Sequence, residues 1–594
     1  MSGIDGFLRA ARADAPVWIC RVREAFETAG TRPLCLRLRG YDGRLRSWTL
    51  KVPPCAADEE ARFVEAYLNA TVYNLLCALG GQEMTVYTLQ EDAALTAWAR
   101  GLEATFQAGV PIAQRCGWGK CLNVNQRALA ALPDVKGRFR FVPGDLRQMP
   151  ELPPEAPAAS LPFDFSAPAR RAGQGLWLGM DVGGTDIKAV AAVDGRLCAF
   201  REYDWAPAEF TRAEQLIGPI LRLARLMRAA ACLEASGSAD GLKREAFRRT
   251  ADDQAIDGAI RRMEAALGGA LQGFDGIGLS FPDVVIDGRI VGGETPKTRG
   301  MRENRALDYE SQLARIAGLG ECLGAFLRPG GRVEVINDGP MAAFTTAVEE
   351  AAAGRDLSEG FFAHTLGTDL GSGWVLPEGA VPPIPLEAYN FVADLGSARQ
   401  RAFHPDDVRS NLNFTTRLAG TLQKYASQTG VFRLAALTLP RADPALWQGA
   451  LDRGLMRLEE GRLTVPTTPA DMRKPCLEYF MEAAGDPASP AAEIFRQVGE
   501  ALGAAWRETD FLLSPPCRSR TLYGRLVKQP HCFRLILEGA RRVAPDIRLE
   551  AADESLANTP LMRQLARHPE YTVAQFGQAV GAIHFACRSG QKER

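Results

Sequence analysis

Residues 176–203, LWLGMDVGGTDIKAVAAVDGRLCAFREY, carry the residue types best suited to holding an anion. Apolar Leu176 to Met180 run into Asp181, after which Gly183, Gly184 and Thr185 reverse the chain and Ile187 to Val193 run back. Adjacent glycines let backbone N–H groups approach a phosphate with no side chain in the way, and the threonine hydroxyl adds a donor. Asp181 at the end of the first run is a candidate ligand for Mg²⁺ through water, and Lys188 supplies positive charge near the same phosphates. An ordinary glycine-rich hairpin is the plainer reading of the same residues. The elements that must position them are strand, glycine turn, strand, then an Asp194-Gly195 turn and a third strand.

Two later segments extend the pattern. VEVINDGPMAAFTTAVE at 333–349 reads as a strand ending in Asn337-Asp338 and running into a small-residue helix. FFAHTLGTDLGSGWVL at 361–376 reads as strand, turn and strand, with Gly367, Thr368, Gly371, Ser372 and Gly373 in or beside the turn. With DVGGTDIK at 181–188, GIGLSFPDVV at 276–285, VINDGPMAA at 335–343 and LGTDLGSGWV at 366–375 in that order, the chain resembles the ROK family of sugar kinases and repressors within the actin-like ATPase superfold.

The resemblance implies an α/β, two-lobed, ribonuclease H-like fold and ATP-dependent phosphorylation of a sugar or sugar-like hydroxyl compound. It covers about 176–400 and 490–590. Asp338 is then the expected general base, because an acceptor hydroxyl must lose its proton as it attacks the γ-phosphate. Asn337 is expected to orient the sugar, although either residue would equally cap the following helix. Asp181, Gly183, Gly184, Thr185 and Lys188 are the expected first phosphate turn, Gly367, Thr368 and Gly371 the second, and Gly524 with Arg525 the adenosine contact. Pro282, Asp283, Lys297 and Asp394 fall where the family meets its sugar. ATP and Mg²⁺ are the implied cofactors.

Departures from the family pattern are equally legible. Lys297 stands at a usual asparagine, Met301 at a usual tryptophan, Ser397 at a usual histidine and Arg525 at one of two usual glycines. The family's zinc loop is missing, since no cysteine occurs between Cys322 and Cys476, and no zinc is expected. Lys297, Arg299, Arg302 and Arg305 put cations on a loop that is uncharged in the family, which favours an anionic acceptor unless these side chains face solvent.

Composition bounds the rest. With 594 residues, 46% hydrophobic and 24% charged, the chain can bury several cores. A formal net charge of −1 gives no bulk attraction to nucleic acid or anionic membrane, so neither is an expected partner. No signal peptide or long apolar run is evident, and 13 scattered cysteines suit reduced thiols, so a cytoplasmic location is expected. A homo-oligomer is left open. Residues 1–142 read as a separate α+β domain with a hairpin at Asp42-Gly43 and no recognisable DNA-reading head. Residues 143–175 are proline-rich and read as a linker, 176–350 as one kinase lobe and 351–594 as the other. The alternative function is a non-catalytic sensor of sugar or nucleotide.

Overall fold

The computed structural model describes residues 3–132, 137–152, 162–237, 245–292, 298–367, 370–382, 386–552 and 556–588. They form two compact units, each discontinuous in sequence. Unit one comprises residues 1–158, 363–372 and 386–552, and unit two comprises 159–362, 373–385 and 553–594.

Unit one opens with a mixed sheet. β1 (Arg32–Arg39) and β2 (Leu45–Val52) form the expected hairpin, β3 (Glu83–Thr88) pairs antiparallel to β1, and β4 (Arg140–Asp145) runs parallel to β3. β4 lies where the sequence suggests the start of a linker. Its Pro143 cannot donate to a ladder and its Gly144 weakens strand propensity, but β4 is the edge strand, where one unpaired side is tolerated. The helix Asp58–Leu79 buries Tyr67 and Tyr73.

Unit two is built on a five-stranded sheet. β5 (Leu176–Val182), β6 (Asp186–Val193) and β7 (Arg196–Asp204) form an antiparallel meander, and β8 (Phe274–Phe281) pairs parallel to β5. A short hairpin, β9 (Val285–Ile286) and β10 (Arg289–Ile290), precedes β11 (Leu327–Asn337), which pairs parallel to β8. The order is β11-β8-β5-β6-β7. Antiparallel neighbours need only tight turns, whereas the parallel pairs need long crossovers, supplied by the helices Ala213–Ala235 and Asp253–Leu267 before β8 and by Tyr309–Ala317 and Leu319–Gly324 before β11. The sheet is thus mixed, an antiparallel meander extended by two parallel strands with helical crossovers, in keeping with the α/β class expected from the sequence.

A second sheet has the order β13-β12-β16-β17, with β12 (Phe361–Leu366) and β13 (Leu370–Val375) joined by the second glycine turn. After the small hairpin of β14 (Arg457–Glu459) and β15 (Arg462–Thr464), β16 (Ser519–Tyr523) runs parallel to β12, and β17 (Arg548–Ala551) parallel to β16. Residues 1–158 share unit one with this part of the chain through buried polar contacts. Arg23 pairs with Glu508 at 2.6 Å, and Asn74 Nδ2 donates to the same carboxylate at 2.9 Å. Such a pair is costly to break, because the surviving charge would stay buried and unpaired. Composition marks 1–142 as a domain of its own, but this network joins those residues to the helix Pro490–Leu513 in one compact unit. Residues 553–594, at the far end of the expected C-terminal lobe, fall in unit two.

Candidate functional site

The first glycine turn is held from behind by a residue the sequence reading did not single out. The Trp205 indole N–H donates to the Gly183 carbonyl at 3.0 Å, and the Trp205 backbone N–H donates to the Thr185 carbonyl at 3.0 Å. In a planar trans peptide, C=O and N–H point in opposite directions. Drawing these two carbonyls back onto Trp205 therefore turns the N–H groups of Gly184 and Asp186 the other way. Gly184 and Thr185 form the exposed tip. A side chain at Gly183 would crowd the Asp186 carbonyl at 2.9 Å, so the turn itself requires glycine there. Lys188 sits opposite Asp181 in the β5–β6 register, but its ammonium pairs with Asp186.

Asp181 belongs to a polar cluster at the ends of β5 and β8. It lies opposite Ser280 in the register, and both are reached by Gln578 from the helix Val573–Ala586. The Gln578 amide nitrogen donates to Asp181 Oδ1 at 3.1 Å and Ser280 Oγ at 2.8 Å, and lies 3.4 Å from the Asp338 carbonyl. Gly179 and Gly278, paired in the same register two residues earlier, make this approach possible. A Cβ at Gly179 would meet the Ala579 carbonyl oxygen at 1.9 Å, and one at Gly278 the Ala582 oxygen at 1.8 Å. Two glycines side by side thus leave a trough into which the helix backbone sinks.

Burial, and then the neighbouring Asp338 carboxylate, push Asp181 up to about 6, against the opposing pull of Ser280 and Lys188. A divalent cation would relieve that crowding. The Asp181 carboxylate suits Mg²⁺, which usually takes one or two protein carboxylates and fills its shell with water and phosphate oxygens. Among the described residues, no group of three or more His, Cys, Asp or Glu is placed to hold a metal by itself.

Asn337 and Asp338 mark the junction of β11 with the helix Asp338–Ala352. The Asn337 side chain caps that helix by accepting from the Gly339 N–H at 3.0 Å, and its amide donates to the Asp283 carbonyl at 2.9 Å. The Asp338 carboxylate also accepts from the Gly339 N–H, at 2.9 Å. Capping is therefore present, and it fixes both side chains at the strand end. Pro282 and Asp283 follow β8, and Asp283 is buried, with its carboxylate accepting from the Val284 N–H at 2.8 Å. Gly183, Trp205, Pro282, Asp283 and Thr298 line one small pocket beside the first turn. Unit two thus brings together Asp181, Gly183, Gly184, Thr185, Lys188, Pro282, Asp283, Asn337 and Asp338.

Unit one holds Gly367, Gly371, Asp394, Gly524 and Arg525. The Gly367 carbonyl accepts from the Gln428 N–H at 2.9 Å, which anchors the second turn to the start of the helix Gln428–Ala442. Gly524 has φ +98°, and a Cβ there would strike the Leu366 carbonyl at 2.3 Å, so β16 closes tightly on the same turn. Arg525 is exposed and lies 3.6 Å from Glu478. Beneath the turn, buried His364 accepts at Nε2 from the Trp506 indole N–H at 3.0 Å, which leaves Nδ1 to donate to Ser372 Oγ at 2.9 Å. Burial, then the Arg520 charge, push His364 down to about 3, so it stays neutral.

Asp394 has a different setting from the one its place in the family pattern implies. It is wholly buried, and its carboxylate accepts from the N–H groups of Val17 and Gly396 at 2.7 Å and from the Tyr425 hydroxyl at 2.5 Å. These are the partners of a staple holding the N-terminal segment rather than of a substrate contact. Thr368 and Lys297 lie outside the described residues.

No family model and no curated protein matches the sequence. Solved structures do. A ROK family glucokinase from Streptomyces griseus, in complex with glucose and AMPPNP, is 18% identical over 69% of this chain and 99% of its own, with a TM-score of 0.35. A ROK family protein from Streptococcus pneumoniae in complex with sucrose is 13% identical over 69% and 97%, with a TM-score of 0.36. The ROK hexokinase from Thermus thermophilus is 18% identical over 66% and 97%, with a TM-score of 0.32. Among the described residues, no helix is long and apolar enough to cross a membrane.

Proposed function

We propose that the protein is an ATP-dependent kinase acting on a hydroxyl of a sugar or sugar-like compound, with Asp338 as general base. The observation that carries this reading is the gathering of Asp181, Ser280 and the Asp338 backbone around one amide, at the strand ends beside the Gly183–Thr185 turn. The acceptor oxygen attacks the γ-phosphorus, the bond from that phosphorus to the β–γ bridging oxygen breaks, ADP leaves, and the hydroxyl proton passes to the Asp338 carboxylate. In unit two, the N–H groups of the first turn bind phosphate oxygens. Mg²⁺, when bound near Asp181, would offset phosphate charge as it develops. In unit one, Gly367, Thr368 and Gly371 are proposed as the second phosphate-binding turn, and Gly524 and Arg525 as nucleotide contacts.

A non-catalytic nucleotide or sugar sensor is favoured by one observation, the pairing of Lys188 with Asp186, which gives the expected phosphate cation an internal partner. An ADP-release assay with ATP, Mg²⁺ and a panel of neutral and acidic sugars separates the two. The kinase reading expects acceptor-dependent ADP release, and the sensor reading expects binding with none.

A further inference from the structure

The C-terminal helix Val573–Ala586 supplies a group to the candidate site that neither its sequence nor any motif announces. Gln578 Nε2 faces three acceptors from three different segments: Asp181 Oδ1 at the end of β5, Ser280 Oγ at the end of β8, and the carbonyl of Asp338 just after β11. The chemistry fixes which way the amide points. A backbone carbonyl accepts only, as does an ionised carboxylate, so the nitrogen and not the oxygen of the amide must face them. The ordering is also built into the backbone. Gly179 and Gly278 admit the helix at contact distances no Cβ would survive, and on the helix Gly581 has the same character, since a Cβ there would meet Thr345 Oγ1 at 1.8 Å. Thr345 lies on the helix that begins at Asp338. The same three glycines that seat the closing helix therefore set Gln578 against Asp181 and pack the middle of the Asp338–Ala352 helix against the closing helix.

Resting on the nucleotide reading above, we infer that Gln578 is a positioning residue that orients the Asp181 carboxylate for the metal-bound form of the nucleotide. Partners of this kind, behind a metal-binding group, typically change metal affinity by about 10–100-fold when removed. A residue that only stabilised the fold would lower binding of metal-free and metal-bound nucleotide alike.

The test measures ADP affinity calorimetrically, once with Mg²⁺ and once with EDTA, for wild type, Gln578→Met, Asp181→Asn and the double variant. Methionine keeps the length and helix propensity of glutamine and deletes only the amide. Gln578→Ala serves as a second deletion, and thermal melting reports on folding. The magnesium-dependent gain in affinity should fall about tenfold in Gln578→Met while affinity in EDTA stays within about twofold. In the Asp181→Asn background, the same substitution should change nothing further, since its effect runs through Asp181. Equal losses with and without magnesium, no loss at all, or full additivity with Asp181→Asn would each overturn the inference. A wild type that binds no ADP under either condition would remove the nucleotide reading and the inference with it. That outcome is distinct, because there is then no magnesium-dependent gain for a variant to lose.

Discussion

The two glycine hairpins have the same frame and opposite chemistry beneath them. β5–β6 in unit two and β12–β13 are each a pair of neighbouring strands in a sheet whose later strands run parallel to the first of the pair. Under the first turn lie Asp181, Ser280 and Gln578, with burial and Asp338 raising Asp181 to about 6. Under the second lie His364, Ser372 and Trp506, neutral, buried and joined through both histidine nitrogens. A charged, crowded cluster is poised to gain from a cation or a proton, whereas a closed neutral chain of hydrogen bonds is suited to rigidity. One frame used twice therefore rests on two different supports: a titratable cluster beneath the first turn and a rigid neutral chain beneath the second.

The contrast breaks most visibly at Asp338. Asp338→Asn should lower turnover by roughly 10³-fold while nucleotide affinity changes little, because the proton acceptor is lost and the turn is kept. Steady-state kinetics beside a binding titration checks both halves. The second-largest effect belongs to the other hairpin. His364 binds a proton only near pH 3 when folded, against about 6.5 unfolded. Stability is thus lost progressively as pH falls below about 6.5, by roughly 3 kcal/mol by pH 4. Denaturant titrations at pH 7, 5.5 and 4 should show that slope, and His364→Gln should flatten it by about one proton.

Two smaller effects test the first hairpin. Gly184→Val puts a branched side chain on the exposed tip and should weaken ATP binding about tenfold or more, some 1.4 kcal/mol; a variant that binds ATP as wild type does would make the turn structural only. Asp181 has the opposite sign to His364. Its folded value, about 6, lies above the unfolded one of about 3.9, so its contribution is fully present below pH 4 and is lost as pH rises through 6. Asp181→Asn, measured without nucleotide or metal, should therefore gain about 1–2 kcal/mol at pH 8, discounted for partial exposure, and nothing at pH 4. A gain independent of pH would contradict the crowding account.

The meander and its glycine turn were legible because strand, turn and strand are contiguous, so period-two burial and turn chemistry act within one short stretch. The junction at Asn337-Asp338 was legible for the same reason. Trp205 and Gln578 were not. Their roles depend on contacts with Gly183 and Asp181 across long sequence separations, and in sequence Gln578 is one polar residue on an otherwise small-residue helix. Asp394 misled in the opposite way. Its place in a family pattern implies a sugar, while its contacts with Val17, Gly396 and Tyr425 show a carboxylate consumed by the fold. β4 was missed because Pro143-Gly144 carries a turn signal that an edge strand can absorb.

The central claim, that the Gly183–Thr185 turn is where phosphate binds, is tested most directly by backbone hydrogen exchange with and without a non-hydrolysable ATP analogue and Mg²⁺. Protection of the Gly184 and Asp186 amides is the expected result, because those N–H groups are the ones turned away from Trp205. Saturating nucleotide that leaves exchange at both amides unchanged would contradict the account.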